Sequence, residues 1–327
     1  MVDALTRPEP LPAPASPPGL SPLGLSGWME GRGRVRGLVL IGVTVGVFYL
    51  LFRRIDLNQT LAVIRTIPAG TWLLATLLTL SFPVLSALRW HLILRVAGHQ
   101  IGVWRCVTVI IGVWPISAIS PSKAGDLLKT LALRREADPL VVAGTVLAER
   151  VIDVLVLAGL ALAGGLVFSR VPIVGVAAAA LAASLAVIAV ADLGLRLPLP
   201  PKWSARVAQL SVPLRALRRS GGALALVLLL TVANWAASIV QTKLLFDAAH
   251  AHVSLGFTTA ALPVAIFAGL LPVTIGGMGT RDAAMVALFA AYATADQTLA
   301  VAILYSFFGY WLLAMLGLPL TKRALAL

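Results

Sequence analysis

Apolar runs about the length of a bilayer recur along this chain, at 71–96, 140–168, 171–191, 223–246 and 299–320. A helix needs about 20 such residues to cross the roughly 30 Å hydrocarbon core. No single core of a chain this size has room to hide them from water. A shorter run, 38–52, is bracketed by Arg36 and by Arg53 and Arg54, whose long side chains snorkel to the interfaces. Composition agrees: 59% of residues are hydrophobic and 12% charged, against about 25% charged in soluble domains. The expected fold is an all-α polytopic membrane protein with six full spans.

Net charge is +13 and the pI near 11.2, which raises the question of nucleic acid. The basic residues sit between apolar runs rather than on one face, so positive-inside bias and anionic headgroups explain them, and no nucleic-acid partner is expected. Cys106 is the only cysteine, which excludes an intramolecular disulfide framework. Residues 1–31 hold seven prolines before position 23 and read as a disordered cytoplasmic tail with no secretory signal. The segment 192–220, with Arg196, Lys202, Arg206, Arg215, Arg218 and Arg219, reads as a basic cytoplasmic loop.

Placing Arg32–Arg36, this loop and Lys322–Arg323 in the cytoplasm fixes the parity. Both termini then face the cytoplasmic side of the inner membrane. Segment 103–138 must enter from the cytoplasm and return to it, and 257–293 must enter and leave from outside. Val103–Ile119 ends between Pro115 and Pro121, while 257–273 breaks at Pro272 and at Gly276–Gly277–Met278–Gly279. Both read as re-entrant or broken-helix hairpins. Units 71–168 and 223–320 thus share a span–hairpin–span order in opposite orientations, the logic of an inverted-repeat transporter.

Three polar elements interrupt the apolar runs. The first is Pro121-Ser122-Lys123-Ala124-Gly125-Asp126 with Lys129 beyond it. Proline and glycine expose backbone that a membrane tolerates only where protein or water covers it. Ser120 or Ser122 is expected to cap the following helix, with Lys123 and Lys129 attracting an anionic headgroup; an interfacial loop facing lipid phosphates is the alternative. In the second, Glu149, Arg150 and Asp153 fall on one span. If its helix begins near Leu140, Glu149 lies about 13 Å along it and Asp153 about 19 Å, which is midplane depth. Each would cost about 2.5–3.5 kcal/mol on an isolated helix, so the cluster must be turned inward and paired. It is either a functional site or a structural ion pair with Arg89. The third element is Gly276-Gly277-Met278-Gly279-Thr280-Arg281-Asp282. Its glycines permit positive φ and close approach of a backbone or ligand, and Thr280 is expected to cap the next half-helix, unless the glycines serve only close helix packing. His91, His99, His250 and His252 have no metal-ligand spacing, and no nucleotide loop or nucleophile elbow is present. No metal, cofactor or enzymatic activity is expected.

Taken in order, Arg89-Trp90, Pro-x-Lys-x-Gly-Asp at 121–126, Glu149-Arg150-x-x-Asp153 and Gly276-Gly277-Met278-Gly279-x-Arg281-Asp282 resemble the lysylphosphatidylglycerol synthase transmembrane region. This flippase-like family includes the membrane half of the bacterial multiple peptide resistance factor. The resemblance spans residues 37–321 and implies a helical membrane domain that moves lipids, or lipid-linked precursors, between leaflets. Asp126 and Asp282 stand where the family often has Glu, a change that keeps the charge. No aminoacyltransferase domain is expected beyond Leu327, so synthase activity is not carried over.

The expected function is therefore translocation of a lipid or lipid-linked precursor with an anionic or phosphate-bearing headgroup. Candidate residues are Arg89, Lys123, Gly125, Asp126, Lys129, Glu149, Arg150, Asp153, Gly276, Gly277, Gly279, Arg281 and Asp282. The alternative is a non-transporting accessory that holds a lipid-biosynthetic enzyme at the membrane. A transport cavity requires Glu149 and Asp153 to face water, and a scaffold requires them dry and paired.

Overall fold

The computed structural model describes residues 57–193 and 200–325, with isolated helical positions at 42, 45, 46 and 49. The proline-rich segment 1–31, most of the first expected span and residues 194–199 lie outside the described residues. Among those described there is no strand.

A short helix α1 (Leu57–Thr66) precedes α2 (Ala69–Val96) and α3 (Val103–Ile119). A 3-10 segment (Pro121–Leu127) and a single turn of helix, α4 (Leu128–Ala132), lead to α5 (Pro139–Val167) and α6 (Val171–Leu193). Next come α7 (Pro201–Leu210), α8 (Val212–Arg219), α9 (Gly221–Ala248) and α10 (Leu255–Leu270). A 3-10 turn (Ile275–Gly277), α11 (Thr280–Phe289) and α12 (Ala295–Leu325), π-helical over Phe307–Leu312, complete the chain. Helices α2, α5, α6, α9 and α12 are long and apolar enough to cross a membrane; these are five of the six expected spans. Helices α3 and α10, with 17 and 16 residues, reach only about 25 Å. Exposed leucines run along α2 at Leu73, Leu74, Leu77 and Leu80, a surface suited to lipid rather than water.

Both short helices stop by the same device. Proline disfavours the α region for the residue before it, and Ser120 before Pro121 is extended (φ −82°, ψ 140°), as is Leu271 before Pro272 (φ −62°, ψ 132°). Starts are equally local. Asp138 accepts from the backbone N–H groups of Leu140 (2.8 Å) and Val141 (3.1 Å) ahead of α5, with Pro139 at the first helical position. Thr294 and Gln297 form a reciprocal capping box at α12.

The two hairpins open at opposite ends of the bundle. At one end Ile101, Leu133, Val142 and Leu325 share a buried cluster, so both arms of the first hairpin lie beside the start of α5 and the end of α12. At the other end Phe168, after α5, packs on Phe257 (centroids 5.4 Å apart), and Phe257 on Tyr292 (4.4 Å). There Gln297, in the first turn of α12, donates to the Ala249 carbonyl just past α9 (2.9 Å). This is the arrangement that the span parity requires. Cysteines replacing the exposed Arg135 and His252, with the buried Cys106 changed to alanine, should therefore be labelled by an impermeant reagent from opposite faces of intact membrane vesicles. Labelling of both from one face would overturn the topology.

The basic segment 192–220 is not a loop over its described part. Helices α7 and α8 occupy it, because Pro201 and Pro213 each stand in a first helical turn, where the missing N–H costs nothing. Leu214 and Leu217 of α8 are buried with Ile93, Ala148 and Val227, tying α2, α5 and α9 together, while Arg219 stays exposed.

A candidate headgroup cavity between the hairpin tips

The hairpin tips touch in the middle of the bundle. Gly276, with φ +60°, lies so close to the first hairpin that a Cβ there would fall 2.4 Å from the Ala118 carbonyl oxygen. Beside this contact lies a cavity bounded by both tips and by α2, α5, α9 and the π-helical part of α12. About 120 Å³ of it is open to the centres of water-sized molecules, room for on the order of ten waters.

Of the residues singled out from the sequence, Arg89, Lys123, Asp126, Lys129, Glu149, Arg150, Asp153, Gly276 and Arg281 all line it. Glu149 and Asp153, one turn apart on α5, both reach Arg89 of α2: Arg89 to Asp153 Oδ1 is 2.6 Å and to Glu149 Oε1 3.3 Å. Lys129 Nζ lies 2.7 Å from Glu149 Oε2. Arg150 pairs with Asp126 and sits 3.5 Å from Asp153 Oδ2. Asp126 also accepts from Ser117 (2.5 Å) and Asp153 from Trp235 Nε1 (3.0 Å). Three cations thus face three carboxylates. Glu149 is 1% exposed and Asp153 5%, so removing either from water is expensive and only paired geometry offsets that cost. The cluster is both paired and at the wall of a polar cavity; the two sequence-level alternatives are not exclusive.

Lys129 is buried, against Glu149 and over the Trp90 ring (4.8 Å). Its expected headgroup role passes to Lys123, which has no carboxylate within ion-pair distance among the described residues and lies over the rings of Tyr310 (4.8 Å) and Trp114 (5.7 Å). Lys123 holds φ +55°, a left-handed backbone that costs a non-glycine residue about 1–2 kcal/mol and clusters at functional sites.

The second tip carries Arg281, 1% exposed. It donates to Asp282 (2.8 and 3.1 Å) and to Ser306, and lies over the rings of Tyr305 (4.8 Å) and Tyr310 (5.2 Å). Asp282 also accepts from the Gly279 N–H (2.9 Å) at the start of α11. Tyr310 thereby stands between Lys123 of one tip and Arg281 of the other, on the π-helical turn, a feature enriched at functional sites.

Other expectations change. Ser120 caps no helix; its hydroxyl donates back to Ile116 (2.6 Å), and a 3-10 segment follows in place of an α-helical N-terminus. Thr280 is not the cap of α11, whose N-cap position is Gly279; its hydroxyl shares a hydrogen bond with Thr274 (2.9 Å). Gly125 and Gly277 are packing positions, against Ser117 and Gly269. Sequence reasoning missed Asn234, Ser238 and Gln241, which line the cavity from α9, and Tyr305 and Tyr310 from α12. The signal was available: 234, 238 and 241 recur at i, i+4 and i+7, one helix face, within an otherwise apolar run.

No curated protein matches the chain significantly. The family model for the lysylphosphatidylglycerol synthase TM region matches residues 36–317, which includes both hairpins, the α5 cluster and the cavity between them. The chain belongs to that family, and is an integral membrane protein of the group related to lipid metabolism or transport.

Proposed function

We propose that this protein moves a lipid or lipid-linked precursor with an anionic, phosphate-bearing headgroup between leaflets, the headgroup passing through the cavity between the hairpin tips. The observation that carries this reading is a charge imbalance. Arg89, Lys123, Lys129, Arg150 and Arg281 stand against Asp126, Glu149, Asp153 and Asp282, five cations and four carboxylates, so one positive charge is left over. In low dielectric such an excess favours an anionic ligand strongly. A cationic headgroup would meet it unfavourably. The reading needs no cofactor and assigns no covalent chemistry, so the chain acts as a translocase and not an enzyme. The end of the bundle that holds Arg105, Arg134, Arg135, Lys322 and Arg323 faces the cytoplasm, by positive-inside bias in the inner membrane.

The paired, buried state of Glu149 with Arg89 and Lys129 favours one second reading, a non-transporting accessory that holds a lipid-biosynthetic enzyme. Purified protein in liposomes separates the two, with leaflet accessibility of labelled lipids as readout. Translocation of an anionic phospholipid is expected, slowed about tenfold by Lys123→Gln, the scale of one charge-assisted hydrogen bond, with a zwitterionic lipid changed less than about twofold. Absence of any protein-dependent movement across the lipid panel would leave the accessory role.

A further inference from the structure

Between Asp192 and Asp247 the chain has no acidic residue, while Lys202, Arg206, Arg215, Arg218 and Arg219 fall within 201–219. A stretch of one sign repels itself and favours an anionic partner. Within α7, Trp203, Val207 and Leu210 recur at i, i+4 and i+7, an apolar stripe along one helix face. The fold covers this stripe only in part. Val207 and Leu210 are half-buried, whereas Trp203 is 57% exposed. Arg206 flanks the stripe and lies over the Trp203 ring, 5.4 Å from its centroid.

The contacts of α7 and α8 hold them at the level of the lipid headgroups. The corner between them rests on α5: a Cβ at Gly144 would fall 2.4 Å from the Leu210 carbonyl oxygen and 3.0 Å from Pro213 Cδ. Helix α5, with 29 residues, is about 44 Å long against a hydrocarbon core of roughly 30 Å. Gly144, about 8 Å from its start, therefore lies close to the edge of that core. Arg215 donates to the Ala208 carbonyl (2.7 Å), which closes α8 onto the last turn of α7. Arg219 is exposed one turn beyond Arg215, on the same face. Ser220 alone separates α8 from the span α9. Tryptophan and arginine together at this depth make an interfacial helix.

We infer that α7 and α8 form a docking surface for anionic lipids of the leaflet alongside them, with Trp203 set in the headgroup region and Arg206 and Arg219 on lipid phosphates. Charge complementarity selects this occupant: clusters of about four to eight basic residues on an amphipathic helix beside a span bind anionic lipid. Neither arginine lines the cavity between the hairpin tips. The surface thus goes beyond the translocation reading and stands or falls apart from it.

The test places the full chain in nanodiscs of phosphatidylcholine with a fifth phosphatidylglycerol, one of the two lipids brominated on its acyl chains near the headgroup. Subtracting the fluorescence of Trp203→Phe from that of the wild type isolates the Trp203 signal. Either brominated lipid should quench Trp203, the anionic one about threefold or more efficiently per mole, since each basic residue near an anionic surface is worth about fivefold in affinity. Arg206→Gln with Arg219→Gln should bring the two lipids within about 1.5-fold of each other, while quenching by phosphatidylcholine persists. Salt at about 1 M, which screens charges beyond about 3 Å, should do the same to the wild type, and decides alone if the double variant does not fold. No quenching of Trp203 by either lipid would overturn the inference, because the helix then lies off the membrane. Equal quenching per mole in the wild type would overturn it too, leaving an apolar anchor without anionic recognition, as would a preference that survives both salt and substitution. Protection of Trp203 by added polyglutamate would overturn it in favour of an acidic protein partner.

Discussion

Arg89→Ala should remove most folded protein from the membrane, and Asp153→Asn added to it should restore much of what was lost. Arg89 is 4% exposed and contacts both Asp153 and Glu149. Its loss leaves carboxylates buried with two cations for three charges, and breaking a buried pair costs about 3–5 kcal/mol. Whole-protein stabilities are only about 5–15 kcal/mol. The double variant is different, because Lys129–Glu149 and Arg150–Asp126 remain as one-to-one pairs. An Asn at 153 still offers an oxygen to Trp235 Nε1. Fluorescence-detected size exclusion after detergent extraction would check both. A single variant as abundant and monodisperse as wild type would show that the network holds nothing together. A double variant no better than the single would show that Arg89 acts through packing rather than charge.

The spans were legible because a lipid-facing helix is apolar whatever it packs against; α2, α5, α6, α9 and α12 needed only length and hydropathy. The partnership of Arg89 with Glu149 and Asp153 was legible too, since a charge at midplane must find an opposite one. Lys129 was not. Its pairing with Glu149 depends on the fold-back of the first hairpin, which brings together residues twenty apart in sequence, and no local pattern encodes that. The segment 201–219 looked like a loop because its charges hide the apolar stripe of Leu214 and Leu217, which matters only once α2, α5 and α9 are in place. Asn234 escaped for the opposite reason. Its spacing with Ser238 and Gln241 marks a polar face on α9, but what that face serves shows only once Arg89 and the cavity wall stand beside it.

Gly277→Ala should cut lipid movement at least tenfold, where a glycine-to-alanine change in open space is silent. Gly277 has φ +72°, and a Cβ built there would fall 2.4 Å from the Gly269 carbonyl oxygen and 2.8 Å from the Gly269 Cα. Both are backbone atoms of α10, so no side-chain rotation relieves the clash. The left-handed backbone adds about 1–2 kcal/mol for any residue with a Cβ. The cheapest escape is for the tip of the second hairpin to lift from α10. Arg281, four residues on, then loses its position over Tyr305 and Tyr310, and Gly276 leaves its contact with Ala118. Displacements on the 1 Å scale at a positioning residue cost on the order of a hundredfold in activity, so lipid movement should fall at least tenfold even in protein that stays folded. Gly159→Ala, on α5 with open space around its Cβ position, is the matched control and should leave both thermal stability and lipid movement unchanged. Liposome transport normalised to reconstituted protein checks the pair. Equal activity of the two variants would mean that the close approach at the second tip is incidental to the cavity.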